Sequence, residues 1–259
     1  MSGFLFNEMI FGPIRSRRLG NSLGINLLPT GHKICTFNCI YCECGWTKDE
    51  HGTKQSLPMR GDLRQALETR LIQLQATSNF PDSITFAGNG EPTMHPEFSG
   101  IVDDTVSLRN KYFPNAEITV LSNSSLIDKP SVFQALMKVD NNILKLDAGT
   151  EETFRLINNP GSDALTLEKI VGNLRRFRQK VIIQTLFVRG EINGQQVDNT
   201  TEAEVEAWLG HISNIRPRYV MLYPIDRATP APGLIAVPKE ELFEIAEKLK
   251  KIRVRSSVY

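Results

Sequence analysis

The chain alternates two rhythms of apolar and polar positions. Short aliphatic or β-branched runs, each closed by Gly, Asn, Ser, Pro or Asp, stand at "SLGINLLP" (22–29), "SITFAGNG" (83–90), "ITVLSNSS" (118–125), "NILKLDA" (142–148), "KVIIQTLFV" (180–188) and "YVMLYPID" (219–226). Runs of this length and composition read as strands. Between them apolar residues recur at helical spacing. Over 62–76, Leu63, Leu67, Leu71 and Leu74 form one stripe, with Asp62 placed to cap it. Further amphipathic stretches cover 96–111, 130–138, 166–178, 201–214 and 239–251. Repeated strand–helix units imply a parallel sheet covered by helices. Six units predict an α/β fold, either a partial barrel or an open wound sheet; a closed eight-unit barrel needs two more. No low-complexity stretch or linker interrupts the rhythm, so residues 1–259 read as one domain with a short N-terminal extension.

In parallel α/β folds ligands gather at the carboxyl ends of the strands. The residues just past each predicted strand are therefore informative. The first strand leads into "CTFNCIYCECGWT" and the second ends in "GNGEPT". The third ends in "SNSS", the fourth in "KLDAG", the fifth in "FVRGEING" and the sixth in "YPIDRATPAPG". Polar and glycine-rich chemistry is thus predicted along one rim, beside the cysteines.

All 4 cysteines of the 259-residue chain fall in the first of these stretches, at Cys35, Cys39, Cys42 and Cys44. A disulfide framework would spread its cysteines to staple distant segments; crowding favours a metal or redox site. Structural zinc usually takes two separated pairs of ligands, and no second pair exists here, although His32 or His51 could serve as a fourth ligand. Three thiolates on one loop, spaced C-x3-C-x2-C, suit a [4Fe–4S] cluster with one iron left open. Cys44 is left over, and reads as a small packed residue.

These residues resemble the radical S-adenosylmethionine superfamily. Cys35, Cys39 and Cys42, with Tyr41 just before the last, match its cysteine signature. "GNGEP" is similar to its Gly-Gly-Glu motif, with Asn89 at the second place. "FGPIRSRRLGNSLGINLLP", "CTFNCIYCECGWT", "GNGEPTMHPEF" and "YPIDRATPAPG" together resemble proteins grouped with the wyosine-type tRNA base synthases. Those synthases carry further cysteines for a second cluster, which this chain lacks. The resemblance implies a partial (βα)6 barrel of parallel strands with outer helices, a [4Fe–4S] cluster and S-adenosylmethionine. One electron, from a donor such as flavodoxin or ferredoxin, would cleave the cofactor to a 5′-deoxyadenosyl radical.

The resemblance also assigns roles. Cys35, Cys39 and Cys42 would hold three irons. Tyr41 would pack near the adenine, and Gly88, Asn89, Gly90 and Glu91 would receive the methionine ammonium, which has only donors to offer. Ser122 and Asn123 would supply polar cofactor contacts. Strand alternation puts Lys145 and Asp147 on one face. If that face is inward, Asp147 can accept from ribose hydroxyls and Lys145 can pair with a carboxylate; Gln184 is of the same type. Asp226 and Arg227 end the sixth strand on the active rim, where they join Lys145 as candidates for catalytic work.

Formal net charge is +1, which gives no global case for a polyanionic partner. Basic residues cluster locally at Arg15, Arg17 and Arg18 and again from Lys248 to Arg255. Connectivity places the first cluster on the amino-terminal side of the barrel unless its segment folds over the mouth. The second reads as a solvated helix end. No apolar run reaches the ~18 residues of a membrane span. The N-terminus has no basic stretch before its apolar part, so a cytoplasmic protein is expected. The substrate expected first is a tRNA base; a peptide or protein, a small molecule, or a non-catalytic iron–sulfur or zinc module are the alternatives.

Overall fold

A computed structural model describes residues 3–47 and 56–259. Strand β1 (Ile10–Ser16) turns back on β2 (Gly20–Ile25) as an antiparallel hairpin. From β2 the chain enters the expected rhythm: α1 (Arg60–Ala76), β3 (Ser83–Phe86), α2 (Phe98–Tyr112), β4 (Glu117–Ser122), α3 (Pro130–Leu136) and β5 (Asn141–Lys145). Then come α4 (Glu151–Asn158), α5 (Leu167–Leu174), β6 (Val181–Leu186), a β7 (Val188–Ile192) and β8 (Gln195–Asp198) hairpin, and α6 (Glu202–Ile215). β9 (Tyr219–Tyr223), β10 (Leu234–Ala236), α7 (Lys239–Lys251) and β11 (Ser256–Val258) complete it. The main sheet runs β1-β2-β3-β4-β5-β6-β9-β11, parallel throughout except for β1, and β10-β7-β8 form a small second sheet.

The six expected strands are the six central ones, but each stops short of its predicted end. Past β3 and β4 the overrun is turn, whereas Leu27, Leu28, Leu146 and Phe187 stay buried without continuing their strands. Gly88 and Gly90 sit at φ +151° and +136°, and Ser124 at φ +72°, outside the extended region. Asp62 does not cap α1. Met59 holds that position without a side-chain bond, and Asp62 lies inside the first turn, where its carboxylate still faces the positive end of the helix.

Alternation along the strands divides the sheet faces. Leu23, Ile25, Ile84, Phe86, Ile118, Val120 and Ile183 join the helices in the main core. On the opposite, inner face Ile143, Ile182 and Met221 form a smaller apolar layer with Leu121 and Tyr219. Below it, hydroxyls pair strand to strand: Ser22 with Thr85 at 2.8 Å and Ser83 with Thr119 at 2.9 Å. Above it the same face carries Lys145, Gln184 and Tyr223 towards the carboxyl rim. No helix among the described residues is long and apolar enough to cross a membrane.

Candidate active site

The cysteine loop joins β2 to α1, and its backbone is held by three neighbours. Ile34 pairs with Gly90 as a parallel bridge: Ile34 N–H donates to Asn89 O and Glu91 N–H to Ile34 O, both at 3.0 Å. Asn38 and Ile40 N–H donate to the carbonyls of Asn158 and Ile157 at the end of α4. Ala231 N–H, in the loop after β9, donates to Ile40 O at 3.2 Å. Within the loop Cys42 N–H reaches Cys39 O and Gly45 N–H reaches Cys42 O, while the buried Lys33 ammonium caps Gly45 O at 2.9 Å. The three sulfurs are thus presented by a braced turn.

The sulfurs meet donors. Asn123 Nδ2 lies 3.4 Å from Cys35 Sγ, and Asn158 Nδ2 lies 3.5 Å from Cys39 Sγ. Burial pushes the Cys35 thiol up to about 12, helped by the Glu91 charge, and burial also raises Cys39. The close approach of Cys42 and Cys44 lowers the Cys42 thiol and raises that of Cys44. The Cys44 thiol donates to Gly88 O at 3.5 Å. Buried thiolates need a cationic centre to hold them ionised. Among the described residues no three of His, Cys, Asp or Glu gather as a single-ion site, so His32 joins none; His51 lies outside the described residues. A four-iron cluster asks for something else, one thiolate at each of three corners with N–H donors around the sulfurs. The donor set on this loop fits it.

The expected cofactor residues fall into two groups. Glu91 is 1% exposed, and both its oxygens already serve protein donors. Oε1 accepts from Thr93 N–H, Thr93 Oγ1 and Ser122 Oγ, and Oε2 accepts from Asn123 N–H at 2.6 Å. Asn89 is equally committed: its amide donates to Phe6 O and Pro29 O and accepts from Phe6 N–H. Asp147, with no exposed side-chain surface, accepts from Tyr41 Oη and Asn158 Nδ2 on one oxygen and from Leu186 N–H on the other. These three groups brace the rim. Asn123 binds Cys35 Sγ and Thr36 Oγ1, and Ser122 supports both Glu91 and Ser124 N–H.

Lys145 and Gln184 are register neighbours on the inner face. The Lys145 ammonium donates to Tyr41 Oη at 2.8 Å and stands 3.9 Å from Asp147. Burial opposes its charge, but Asp147, with Cys39, outweighs burial and raises its pKa. The Lys145 ammonium is thus held between Tyr41 and Asp147 beside the cysteine loop.

The arginines near the N-terminus correct the expectation from connectivity. Residues 3–9 run along the carboxyl rim, where Phe4 N–H donates to Glu43 O. The β1–β2 turn then brings Arg17 to Asp226 at 2.6 Å. Arg227 pairs with Glu43 of the cysteine loop at 2.7 Å. Asp226 and Arg227 are exposed and tie the rim together. Arg15, Arg17 and Arg18 line a cavity of about 390 Å³ that also touches Tyr41 and Tyr223. The other basic cluster is elsewhere: Lys250, Arg253 and Arg255 border an amino-end cavity of about 1020 Å³. Two site residues had no sequence signal. Asn158 closes a helix that was not expected, and Lys33 is a lone buried cation.

Comparison with known proteins agrees with this arrangement. A family model described as the radical SAM superfamily matches residues 31–202. A protein named GTPase Obg from Brachyspira hyodysenteriae is 32% identical over 95% of this chain and 34% of its own length. A UPF0026 protein of Methanocaldococcus jannaschii is 35% identical over 65% of this chain and 49% of its own. The chain thus spans about a third to a half of the length of these relatives. A radical SAM methyltransferase from Sphaerobacter thermophilus shares the fold with a TM-score of 0.67 at 16% identity, covering 92% of this chain and 65% of that one. The structure of TYW1 with a lysine-pyruvate adduct gives 0.57 at 14% identity, covering 89% and 73%. With its three rim cysteines inside the matched region, this chain belongs to the radical SAM superfamily.

Proposed function

We propose that the protein reductively cleaves S-adenosylmethionine at a [4Fe–4S] cluster and uses the radical on a nucleobase, a tRNA base first. When bound, the cluster and S-adenosylmethionine supply a 5′-deoxyadenosyl radical able to abstract hydrogen. Cys35, Cys39 and Cys42 hold the cluster, with Asn123 and Asn158 donating to its sulfur ligands. Lys145 offers a fixed positive charge to a carboxylate, and Tyr41 is locked between Lys145 and Asp147 as the wall beside the cofactor. The GNGE turn shapes the methionine end through its backbone, since its polar side chains are engaged.

The observation that carries the choice of substrate is the position of Arg15, Arg17 and Arg18. They line the cavity that reaches Tyr41, the residue before Cys42. A polyanion has to be held largely through its phosphates, and a chain of net charge +1 needs a local basic patch to do so. This patch stands at the mouth. Binding of tRNA to the cluster-loaded protein, measured across a salt series, should show a steep slope that falls when Arg15 and Arg17 are changed to Ala. Absence of tRNA binding at low salt would overturn the choice and favour a peptide substrate. The radical chemistry is tested apart, by the formation of 5′-deoxyadenosine after reduction.

A further inference from the structure

The mouth cavity carries more positive charge than its ion pairs use. Its wall holds Arg15, Arg17, Arg18, Arg227 and Lys239, against the two carboxylates Glu43 and Asp226. Both carboxylates are engaged, by Arg227 and Arg17 respectively. Arg18 is different. Its guanidinium lies 5.2 Å from the centroid of the Tyr223 ring, on the inner face of β9. Its Nη1 is buried and has no hydrogen-bond partner among the described residues.

Arg18 also lines the amino-end cavity, so it stands where the lumen passes from one opening to the other. A guanidinium keeps its proton in proteins and has only donors. An N–H held away from water without an acceptor is a deficit that folding does not repair. Stacking on a ring leaves the N–H edge of the cation for acceptors in its plane, and a planar oxyanion matches that edge with two parallel bonds. The Tyr223 hydroxyl engages the guanidinium but leaves Nη1 without an acceptor, and Tyr259 is paired with Tyr219, hydroxyl to hydroxyl, at 2.9 Å.

We propose that Arg18 is an oxyanion clamp within the barrel: the group taken into the mouth cavity carries a carboxylate or phosphate that accepts from Arg18 Nη1. The atom to be attacked then lies on the Tyr41 side, towards Cys42. The inference rests on the reading that this cavity receives the substrate, and it narrows the substrate to one bearing an oxyanion close to its reacting centre. For a nucleic acid that oxyanion is a phosphate next to the target base; for a small molecule it is a carboxylate or phosphate of its own.

The test is calorimetric titration of the cluster-loaded full chain with inorganic phosphate and, separately, with acetate. At least one anion should bind the wild type at one per chain. Affinity should fall about tenfold or more in Arg18→Gln, the loss of a charge-assisted bond. Arg18→Lys should keep part of it, because the charge remains and the planar fork does not. Phosphate binding alone points to a phosphorylated group, and acetate binding alone to a carboxylate. Arg218→Gln, in the amino-end cavity, should bind like the wild type. The clamp is overturned if neither anion binds, if Arg18→Gln binds as the wild type does, or if Arg218→Gln loses binding equally. Should Arg18→Gln fail to fold, unchanged affinities in Arg18→Lys would overturn it as well. Cleavage of S-adenosylmethionine is measured on the same preparations. Cleavage without anion binding removes the clamp alone. Anion binding by a chain that does not cleave S-adenosylmethionine keeps the clamp and removes the proposed chemistry.

Discussion

The phenol of Tyr41 donates to the carboxylate of Asp147, 106 residues further along the chain, and so fastens the cysteine loop to the end of β5. Asn158 Nδ2 and Leu186 N–H converge on the same carboxylate, and the Lys145 ammonium faces it at 3.9 Å. Asp147→Ala therefore strands three buried donors and leaves the partly buried Lys145 short of its counter-charge. Removing one partner from such a group costs about 3–5 kcal/mol. Urea melts should show that loss, and iron retained after reconstitution should fall with it. A variant as stable as the wild type would take Asp147 out of the brace.

The cysteine assignment makes a second prediction. After anaerobic reconstitution the chain should hold about four irons and four sulfides. Ala at Cys35, Cys39 or Cys42 should abolish the cluster absorbance, whereas Cys44→Ala should keep it. Cys44 donates to Gly88 O, which points its thiol at the GNGE turn. Loss of the cluster in Cys44→Ala, with retention in one of the other three, would reassign the ligands.

How far the sequence carried these conclusions can be read from particular residues. The six central strands were legible because each is a short apolar run closed by turn residues, and the helices because their stripes repeat. The β1 hairpin was not, since Gly12 and Pro13 break the pattern of "IFGPIRS". Helix α4 was not expected, although Thr150 caps it through Thr153 N–H and Phe154 and Ile157 share its buried face. The cysteine spacing was legible because chemistry fixes it locally. The bracing of Glu91, Asn89 and Asp147 was not, because their partners Asn123, Phe6 and Tyr41 come from other turns and only the folded rim brings them together.

Glu91 gives a prediction in pH. Burial raises its pKa above the ordinary value of 4.5, against the opposing pull of Thr93, Asn123 and Ser122. The folded state therefore keeps the proton to higher pH than the unfolded chain. Its contribution to stability is complete below 4.5 and is lost as pH rises through the folded value. Over that window the slope is up to about 1.4 kcal/mol per pH unit. Glu91→Gln cannot titrate, so the stability difference between wild type and variant should shift in the variant's favour from pH 4.5 upwards and then level off. Urea melts at half-unit intervals measure this. A difference that is flat, or that moves the other way, would mean the four donors outweigh burial and Glu91 is ionised in the fold.

The last prediction separates two glycines. Gly90 sits at φ +136°, and a Cβ built on it would lie 1.8 Å from Ile34 O. That carbonyl accepts from Glu91 N–H, and the pairing of Ile34 with Gly90 is what positions Cys35 next in sequence. Neither atom can yield, because both are backbone. Gly90→Ala should break the bridge, lower stability by at least about 2 kcal/mol and reduce cluster occupancy. Gly61, in the first turn of α1, has nothing within 4 Å of a Cβ. Gly61→Ala should gain about 0.5–1 kcal/mol from the smaller entropy of the unfolded chain and leave iron content unchanged. Thermal melts and iron analysis on both variants decide it. If Gly90→Ala folded with full stability and a full cluster, the bridge would not be what holds the cysteine loop in place.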